Sequence, residues 1–281
     1  MANREKSSSR NLIRKAAALI TASNRSVVTD AATAQFAGLK VETCPDAAAL
    51  TRRVDLLMVF GGDGTMLRVA REVAGSSTPI LGINVGGLGF LTDVQSRRLP
   101  VALQQIWNGK TVLETRPLIE ADGKARGKPF SARALNDFVI TRGAAPRLIE
   151  LGVAVDGEVL TRYRCDGLIV CSPTGSTAYS LAAGGAVVSP SAEVFTLTPI
   201  CPHTLSNRSV VVSLSSTVQV KVLSRKLETV LTADGQPPIS LAAGDIINIR
   251  RSRDEIRLLH LAGSSFFETL RRKLNWSGSY V

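Results

Sequence analysis

Asp55-Leu56-Leu57-Met58-Val59-Phe60 runs without a break into Gly61-Gly62-Asp63-Gly64-Thr65. Five of the first six residues are apolar, and the run stops at glycines. That is the pattern of a strand covered on both faces, as in a parallel sheet. Met66 to Ala74 then reads as a helix. Strand, glycine loop and helix in that order form the crevice end of an open α/β sheet, where ligands bind beyond the carboxyl ends of the strands.

The same alternation continues on both sides. Upstream, Ser26 to Thr29 reads as a strand, Ala31 to Ala37 as a helix, Leu39 to Thr43 as a strand and Ala47 to Arg53 as a helix. Downstream, Pro79 to Val85 is the next buried strand. After about Val112 the character changes to strand-like runs separated by turns. Leu118 to Ala121 and Ala132 to Thr141 flank Asp122-Gly123 and Gly127-Lys128. Ile149 to Val155 and Val159 to Arg164 flank Asp156-Gly157, a hairpin signal. Ser209 to Leu214, Thr217 to Leu223, Thr229 to Ala233, Asp245 to Arg250 and Glu255 to Leu261 extend the series. One helix, starting near Thr177, interrupts it, and Phe266 to Leu274 closes the chain as another. We therefore expect an α/β domain with an open parallel sheet over residues 1–112 plus 265–281, and a mostly antiparallel β domain over 113–264. The closing helix is expected to pack back on the first domain.

A chain of 281 residues suits two domains. Lys and Arg outnumber Asp and Glu by 34 to 23, for a net charge of +11, which suits anionic partners. The basic residues are scattered and not interleaved with aromatics, so they read as a solvated surface and not as a nucleic-acid track. No apolar run reaches the length of a membrane span, so no membrane partner is expected. Cys44, Cys165, Cys171 and Cys201 form no CxxC pair, and with only His203 and His260 beside them they offer no zinc site. Reduced thiols in a cytoplasmic protein are the expectation. The first 25 residues carry Arg4, Lys6, Arg10, Arg14, Lys15 and Arg25 against one acid, Glu5. That composition loosely resembles an organellar transit peptide. The reading preferred here is a basic terminus leading into a helix around Asn11 to Thr21, with no signal-peptide core.

The glycine loop carries chemistry of its own. Gly61, Gly62 and Gly64 let the backbone approach a phosphate and present N–H groups to it, and Gly61, Gly62 and Thr65 are read as the ATP phosphate loop. Asp63 looks out of place beside a phosphate unless its carboxylate meets a hydroxyl nucleophile or a metal ion, and phosphoryl transfer needs both contacts. The competing structural role is a tight turn with Asp63 capping the helix. No Gly-Lys-Ser/Thr follows, so this is not a Walker A loop, nor is it a G-x-G-x-x-G fingerprint. The loop resembles those of NAD kinases, of diacylglycerol and sphingosine kinases and, more distantly, of phosphofructokinases. It points to a kinase and leaves the acceptor open.

The run from Arg164 to Ser180, RCDGLIVCSPTGSTAYS, reads as a turn, a buried strand, a loop of small and hydroxyl residues, and a helix start. Such a loop can meet the edge of a base with hydroxyls and unused N–H groups. Asp166 can bond a ribose or amide, and Tyr179 adds an aromatic wall. An ordinary helix capped by Ser176 or Thr177 is the plainer alternative. The segment DGLIVCSPTGSTAYSLAAGG closely resembles the signature of the NAD kinase family, which lipid kinases and phosphofructokinases lack. Leu88 to Asp93 (LGFLTD), Leu135-Asn136-Asp137, Pro202 to Ser206 (PHTLS), Ala233-Asp234-Gly235-Gln236 and the Phe267 to Trp276 helix resemble further family segments, in order, from about Val54 to the end.

The resemblance implies roles for individual residues. Asp63 is implied as the general base for a 2′-hydroxyl, and Gly64 as a nucleotide contact. Arg68 approaches the dinucleotide. Asn136 and Asp137 hold the adenosine part. Arg147 and Arg164 add charge near the pyrophosphate, Arg164 across a subunit boundary. Asp166 meets the nicotinamide riboside or a neighbouring polar group. Thr177, Ala178, Tyr179, Ser180, Leu181 and Ala182 form the base pocket, and Gln236 closes it. His203 reads as a structural hydrogen-bonder. The implied activity is transfer of phosphate from ATP, carrying a divalent cation such as Mg²⁺, to NAD bound in a cleft between the domains, by a homodimer or homotetramer. A lipid kinase sharing the loop and a non-catalytic dinucleotide sensor are the other readings. Two departures stand out. Asp137 replaces the usual Glu, one methylene longer. Met1 to Arg10 holds nothing like the apolar strand with which the family opens, so either the start diverges or the sheet lacks that strand.

Overall fold

The computed structural model describes residues 1–3, 7–87, 89–143, 147–203, 208–225 and 227–276. The chain divides into two compact units, Met1–Thr115 with Glu255–Val281, and Arg116–Asp254.

The first unit alternates helices and mostly parallel strands: α1 (Ser7–Ala22), β1 (Val28–Asp30), α2 (Ala31–Ala37), β2 (Glu42–Cys44), α3 (Ala47–Thr51), β3 (Leu57–Gly61), α4 (Asp63–Glu72), β4 (Ile80–Asn84), β5 (Val94–Gln95) and α5 (Leu99–Trp107). β3, β4 and β5 pair in parallel. β1 and β2 pair in parallel as a separate two-stranded sheet. Both short strands start two or three residues later than the expected runs and end one residue later, and each feeds a capped helix. Asp30 accepts from the Thr33 N–H at 2.8 Å, and Asp46 from the Ala49 N–H at 2.7 Å. Ile13, Ala16 and Ala17 are buried on one stripe of α1, and Ile13 and Ala16 lie with Phe60, Leu81, Ile83, Leu99 and Leu103 in one core. Ala2 makes a single parallel bridge to Phe60, the Asn3 N–H donates to the Phe60 carbonyl at 2.8 Å, and helix α1 is under way by Ser7.

The second unit is antiparallel. Its elements are β6 (Thr111–Ala125, entering from the first unit), β7 (Lys128–Ala134), β8 (Asp137–Arg142), β9 (Ile149–Val155), β10 (Glu158–Cys165), β11 (Gly167–Cys171), α6 (Tyr179–Ala182), β12 (Val194–Ile200), β13 (Val210–Ser213), β14 (Val218–Val222), β15 (Thr229–Ala233) and β16 (Ile239–Leu241), with β17 (Ile246–Leu261) leading back to the first unit and α7 (Phe266–Lys273) beyond it. One sheet runs β13-β12-β11-β8-β15-β16. The other brings together β10, β9, β14 and the start of β17. Phe138, Ile140, Leu168, Val170, Phe195 and Leu197 face Ile149, Leu151, Val218, Val220 and Ile247 in a single core.

Several expectations need correction. Asp122-Gly123 makes no turn. Asp122 is held by Asn248 and Arg250 of β17, so β6 continues to Ala125 and the chain reverses at Arg126-Gly127, both with positive φ. Ala132 to Thr141 is two strands in two sheets, broken at Leu135-Asn136. Asp245 to Arg250 and Glu255 to Leu261 merge into the single strand β17. The helix expected near Thr177 is a 3-10 turn, Thr174–Thr177, followed by the one-turn α6. Among the described residues, no helix is long and apolar enough to cross a membrane.

Candidate active site

In the first unit, β3 ends at Gly61 and α4 begins at Asp63, with Gly62 as an extended N-cap. The helix leaves the Asp63 and Gly64 N–H groups unused, at the end where its dipole favours negative charge. The Asp63 carboxylate does not turn back to cap the helix. Its Oδ2 accepts from the Phe90 N–H at 2.9 Å and its Oδ1 from the Leu91 N–H at 3.1 Å. Gly89 makes this contact possible, since a Cβ there would stand 2.1 Å from Asp63 Oδ1. The donor segment is itself tied down. Asn84, 4% exposed at the end of β4, donates from Nδ2 to the Gly87 carbonyl at 2.5 Å and to Thr92 Oγ1 at 2.9 Å. Two of the carboxylate's four acceptor positions are thereby occupied, and the rest can serve a substrate hydroxyl. Thr65 is buried against Gly61. Arg68 lies one turn on, exposed and paired with Glu72 at 2.8 Å. It lines a cavity of about 400 Å³ with Asp30, Asp46 and Glu72. Neither this cavity nor a larger one of about 490 Å³ beneath α1, lined by Ile13, Ala16, Leu56 and Trp107, includes Asp63.

In the second unit, the signature loop is laced onto the break between β7 and β8. The Ser172 N–H donates to the Asn136 carbonyl at 2.9 Å, and Ser172 Oγ to the Leu135 carbonyl at 2.6 Å. Gly175 lies flat on this segment, where a Cβ would come within 2.2 Å of the Asn136 oxygen. Ser176, fully buried, donates from Oγ to the Pro173 carbonyl at 2.7 Å and accepts from the Val188 N–H at 3.1 Å. Thr174 Oγ1 accepts from Arg116 at 3.1 Å, and that arginine is only 5% exposed.

The break itself is the work of Asp234. This residue sits at φ 47 and follows β15. Its carboxylate accepts the N–H groups of Leu135, Asn136 and Asp137 at 2.9, 2.8 and 3.2 Å. Those three donors therefore leave the ladder, and the chain switches sheets. Asp137 is buried beside it. Burial first, and the Asp234 charge second, push the Asp137 carboxyl up to about 7. Asp166 accepts from Arg142 Nε at 2.8 Å, so the neighbouring polar group is that arginine.

The remaining expected residues fall as follows. Thr177 and Ala178 are half-buried at the end of the 3-10 turn, Tyr179 is 47% exposed, and Leu181 and Ala182 lie on α6. Ser180 is fully buried, and its hydroxyl shares a 3.0 Å hydrogen bond with Thr198. Gln236 is half-buried just past Asp234, its N–H donating to the Ala233 carbonyl at 2.9 Å. Arg147 and Arg164 are exposed. His203 is exposed too, and its N–H donates to the Arg164 carbonyl at 2.9 Å. Leu88 and the Thr204 to Ser206 part of the PHTLS segment lie outside the described residues. Sequence reasoning passed over Arg116, Arg142 and the cap made by Asp234. The Asp-Gly pair at 234 marked a turn, but not what its carboxylate would hold.

Comparison with known proteins places these sites in context. Residues 5–111 match the family model described as the ATP-NAD kinase N-terminal domain, and residues 135–261 match the ATP-NAD kinase C-terminal domain. An NAD kinase from Acidovorax is 43% identical over 270 residues, covering 96% of this chain and 90% of that protein. One from Syntrophotalea carbinolica is 43% identical over 239 residues, 84% of this chain and 83% of the relative. Among solved structures, yeast NADH kinase complexed with NADH superposes with a TM-score of 0.89 at 28% identity, covering all of this chain and 88% of that one. An NAD kinase from Archaeoglobus fulgidus in complex with ATP gives a TM-score of 0.70 at 28% identity, covering 90% and 99%.

Proposed function

This chain belongs to the NAD kinase family, and we infer that Asp63 is the group through which it transfers a phosphoryl group from ATP to the 2′-hydroxyl of the adenosine ribose of NAD. The observation that carries the reading is the carboxylate in the glycine loop, clamped by two N–H groups at 2.9 and 3.1 Å while its other lone pairs stay available. In the reaction the ribose 2′-oxygen forms a bond to the γ-phosphorus. The bond from that phosphorus to the β–γ bridging oxygen breaks, and ADP leaves with its electron pair. Asp63 orients the hydroxyl and accepts its proton as the new O–P bond forms. Such catalysis is mostly positioning and charge neutralisation.

The second unit supplies the acceptor's binding surface in this reading. Asn136 and Asp137 meet the adenosine, Thr177 to Ala182 frame the base with Tyr179 as the exposed ring, and Gln236 borders it. The Ser180 hydroxyl is spent on Thr198, so Ser180 shapes the pocket wall and does not bond the base. Asp166 presents its carboxylate together with Arg142 as a polar pair. The N–H groups at the start of α4 suit phosphate oxygens. A divalent cation travels with ATP. Among the described residues no group of three or more His, Cys, Asp or Glu side chains could hold an ion. Mg²⁺ bound by the phosphates of ATP and by water would need no such group. The cation's contribution is to neutralise the transferring phosphate.

Asp63→Asn tests the assignment. It keeps the size and one acceptor oxygen but removes the proton acceptor. NAD binding, followed by calorimetry, should persist, while turnover should fall by orders of magnitude. Turnover close to that of the unaltered protein removes Asp63 from the mechanism.

A further inference from the structure

We propose that the segment from His260 to Lys273 is a positioning clasp for Asp63, acting through the loop of residues 89–93. The proposal rests on the assignment of Asp63 above. The two N–H groups that orient Asp63 belong to Phe90 and Leu91, in an irregular stretch between β4 and β5 that no sheet ladder fixes. On one side it is held from within its own strand-and-loop unit, by Asn84 on Thr92 and by the Asp93 N–H on the Gly82 carbonyl at 3.1 Å. On the other side it is held by the end of the chain. Asp93 Oδ2 accepts from the Leu261 N–H and from Ser264 Oγ, each at 2.8 Å. His260 Nδ1 stands 3.9 Å from Asp93 Oδ1. The Phe90 ring meets Phe266 with centroids 6.2 Å apart, and Lys273 places its ammonium 4.7 Å from the centre of the same ring.

The contacts made by α7 argue for positioning over bulk stability. α7 buries one residue, Leu270, and leaves Phe267 60% exposed, so it adds little to the core. What its first turn and last residue do cover is Phe90, whose own N–H makes the shorter of the two bonds to Asp63. A loop donor free to shift by a fraction of an ångström would let the carboxylate rotate, and misplacement on that scale slows phosphoryl transfer strongly.

Phe266→Ala is the direct test, measured as kcat and as KM for NAD and ATP per folded enzyme, with Phe266→Tyr as the conservative variant. Ser264→Ala removes one donor to Asp93 from an exposed site and serves where the aromatic change fails to fold. The clasp predicts that kcat falls at least about tenfold, a change of about 1.4 kcal/mol in barrier, with KM for NAD little changed. It predicts recovery in Phe266→Tyr. In an Asp63→Asn background, Phe266→Ala should cost nothing further, because both act through one carboxylate. A lowered melting temperature with kcat unchanged in Phe266→Ala and Ser264→Ala overturns the clasp while leaving Asp63 in place. Full activity of Asp63→Asn overturns both.

Discussion

Asp137 is 5% exposed and shares its pocket with Asp234, whose own carboxylate is committed to three backbone donors. Asp137 therefore carries the cost of being charged there, and its carboxyl is pushed up to about 7 by burial and by that neighbour. The folded protein binds the Asp137 proton more tightly than the unfolded chain, whose value is 3.8. Stability is greatest below that value and declines as pH rises toward 7. At 1.36 kcal/mol per unit, the loss is on the order of a few kcal/mol. Asp137→Asn removes the ionisation, so it should raise the melting temperature clearly more at pH 8 than at pH 5. An equal shift at both values contradicts this account. At this scale the sequence was legible where chemistry is local. Asp63 stood out because an acid in a glycine loop after a buried strand has few other uses. Asp234 did not stand out, because the N–H groups it caps are 97 to 99 residues away in sequence.

Elements show the same division. β3, α4 and β4 were readable from an apolar run, a glycine stop and a helical repeat, since those patterns answer to nearest neighbours. The fate of residues 132–141 was not readable. An unbroken strand pattern covers them, and only the Asp234 carboxylate makes the chain change sheets at Leu135-Asn136. β6 ran past its Asp-Gly signal for a similar reason, because Asn248 and Arg250 hold Asp122 in the strand. The signature loop depends on one close backbone approach. Gly175→Ala would drive a methyl group to within 2.2 Å of the Asn136 oxygen, which backbone cannot yield cheaply. We expect a loss of about 1–3 kcal/mol in stability, the cost typical of overpacking, together with a KM for NAD raised several-fold by displacement of the 172–178 loop. Chemical denaturation and initial-rate kinetics measure the two effects. A wild-type KM in the folded variant would show that the loop's seat on Asn136 is irrelevant to the acceptor.

For the whole molecule, the His260 cluster sets an alkaline limit on stability. Burial alone would lower the imidazole, but the Asp93 and Glu114 carboxylates outweigh it and bring it up to about 9. Its Nε2 lies 2.9 Å from Glu114 Oε2. A cation with a raised folded value stabilises fully below its unfolded value of 6.5, and that contribution is lost as pH climbs through 9. His260→Gln should therefore lower the melting temperature at pH 6 and much less at pH 10. A penalty that is the same at both values would remove the charge from the explanation. The two-domain kinase architecture was legible because alternating α/β patterning gives way to serial strands near residue 112. The acceptor was legible because the segment from Asp166 to Gly185 resembles one family closely. The central claim is phosphoryl transfer to the 2′-hydroxyl of NAD, and its most direct test is to incubate the purified protein with Mg²⁺, ATP and NAD and to assay ADP and NADP together. The account predicts NADP formed mole for mole with ADP, and no ADP when diacylglycerol replaces NAD. Folded protein that binds NAD yet releases no NADP, or that phosphorylates the lipid instead, would contradict it.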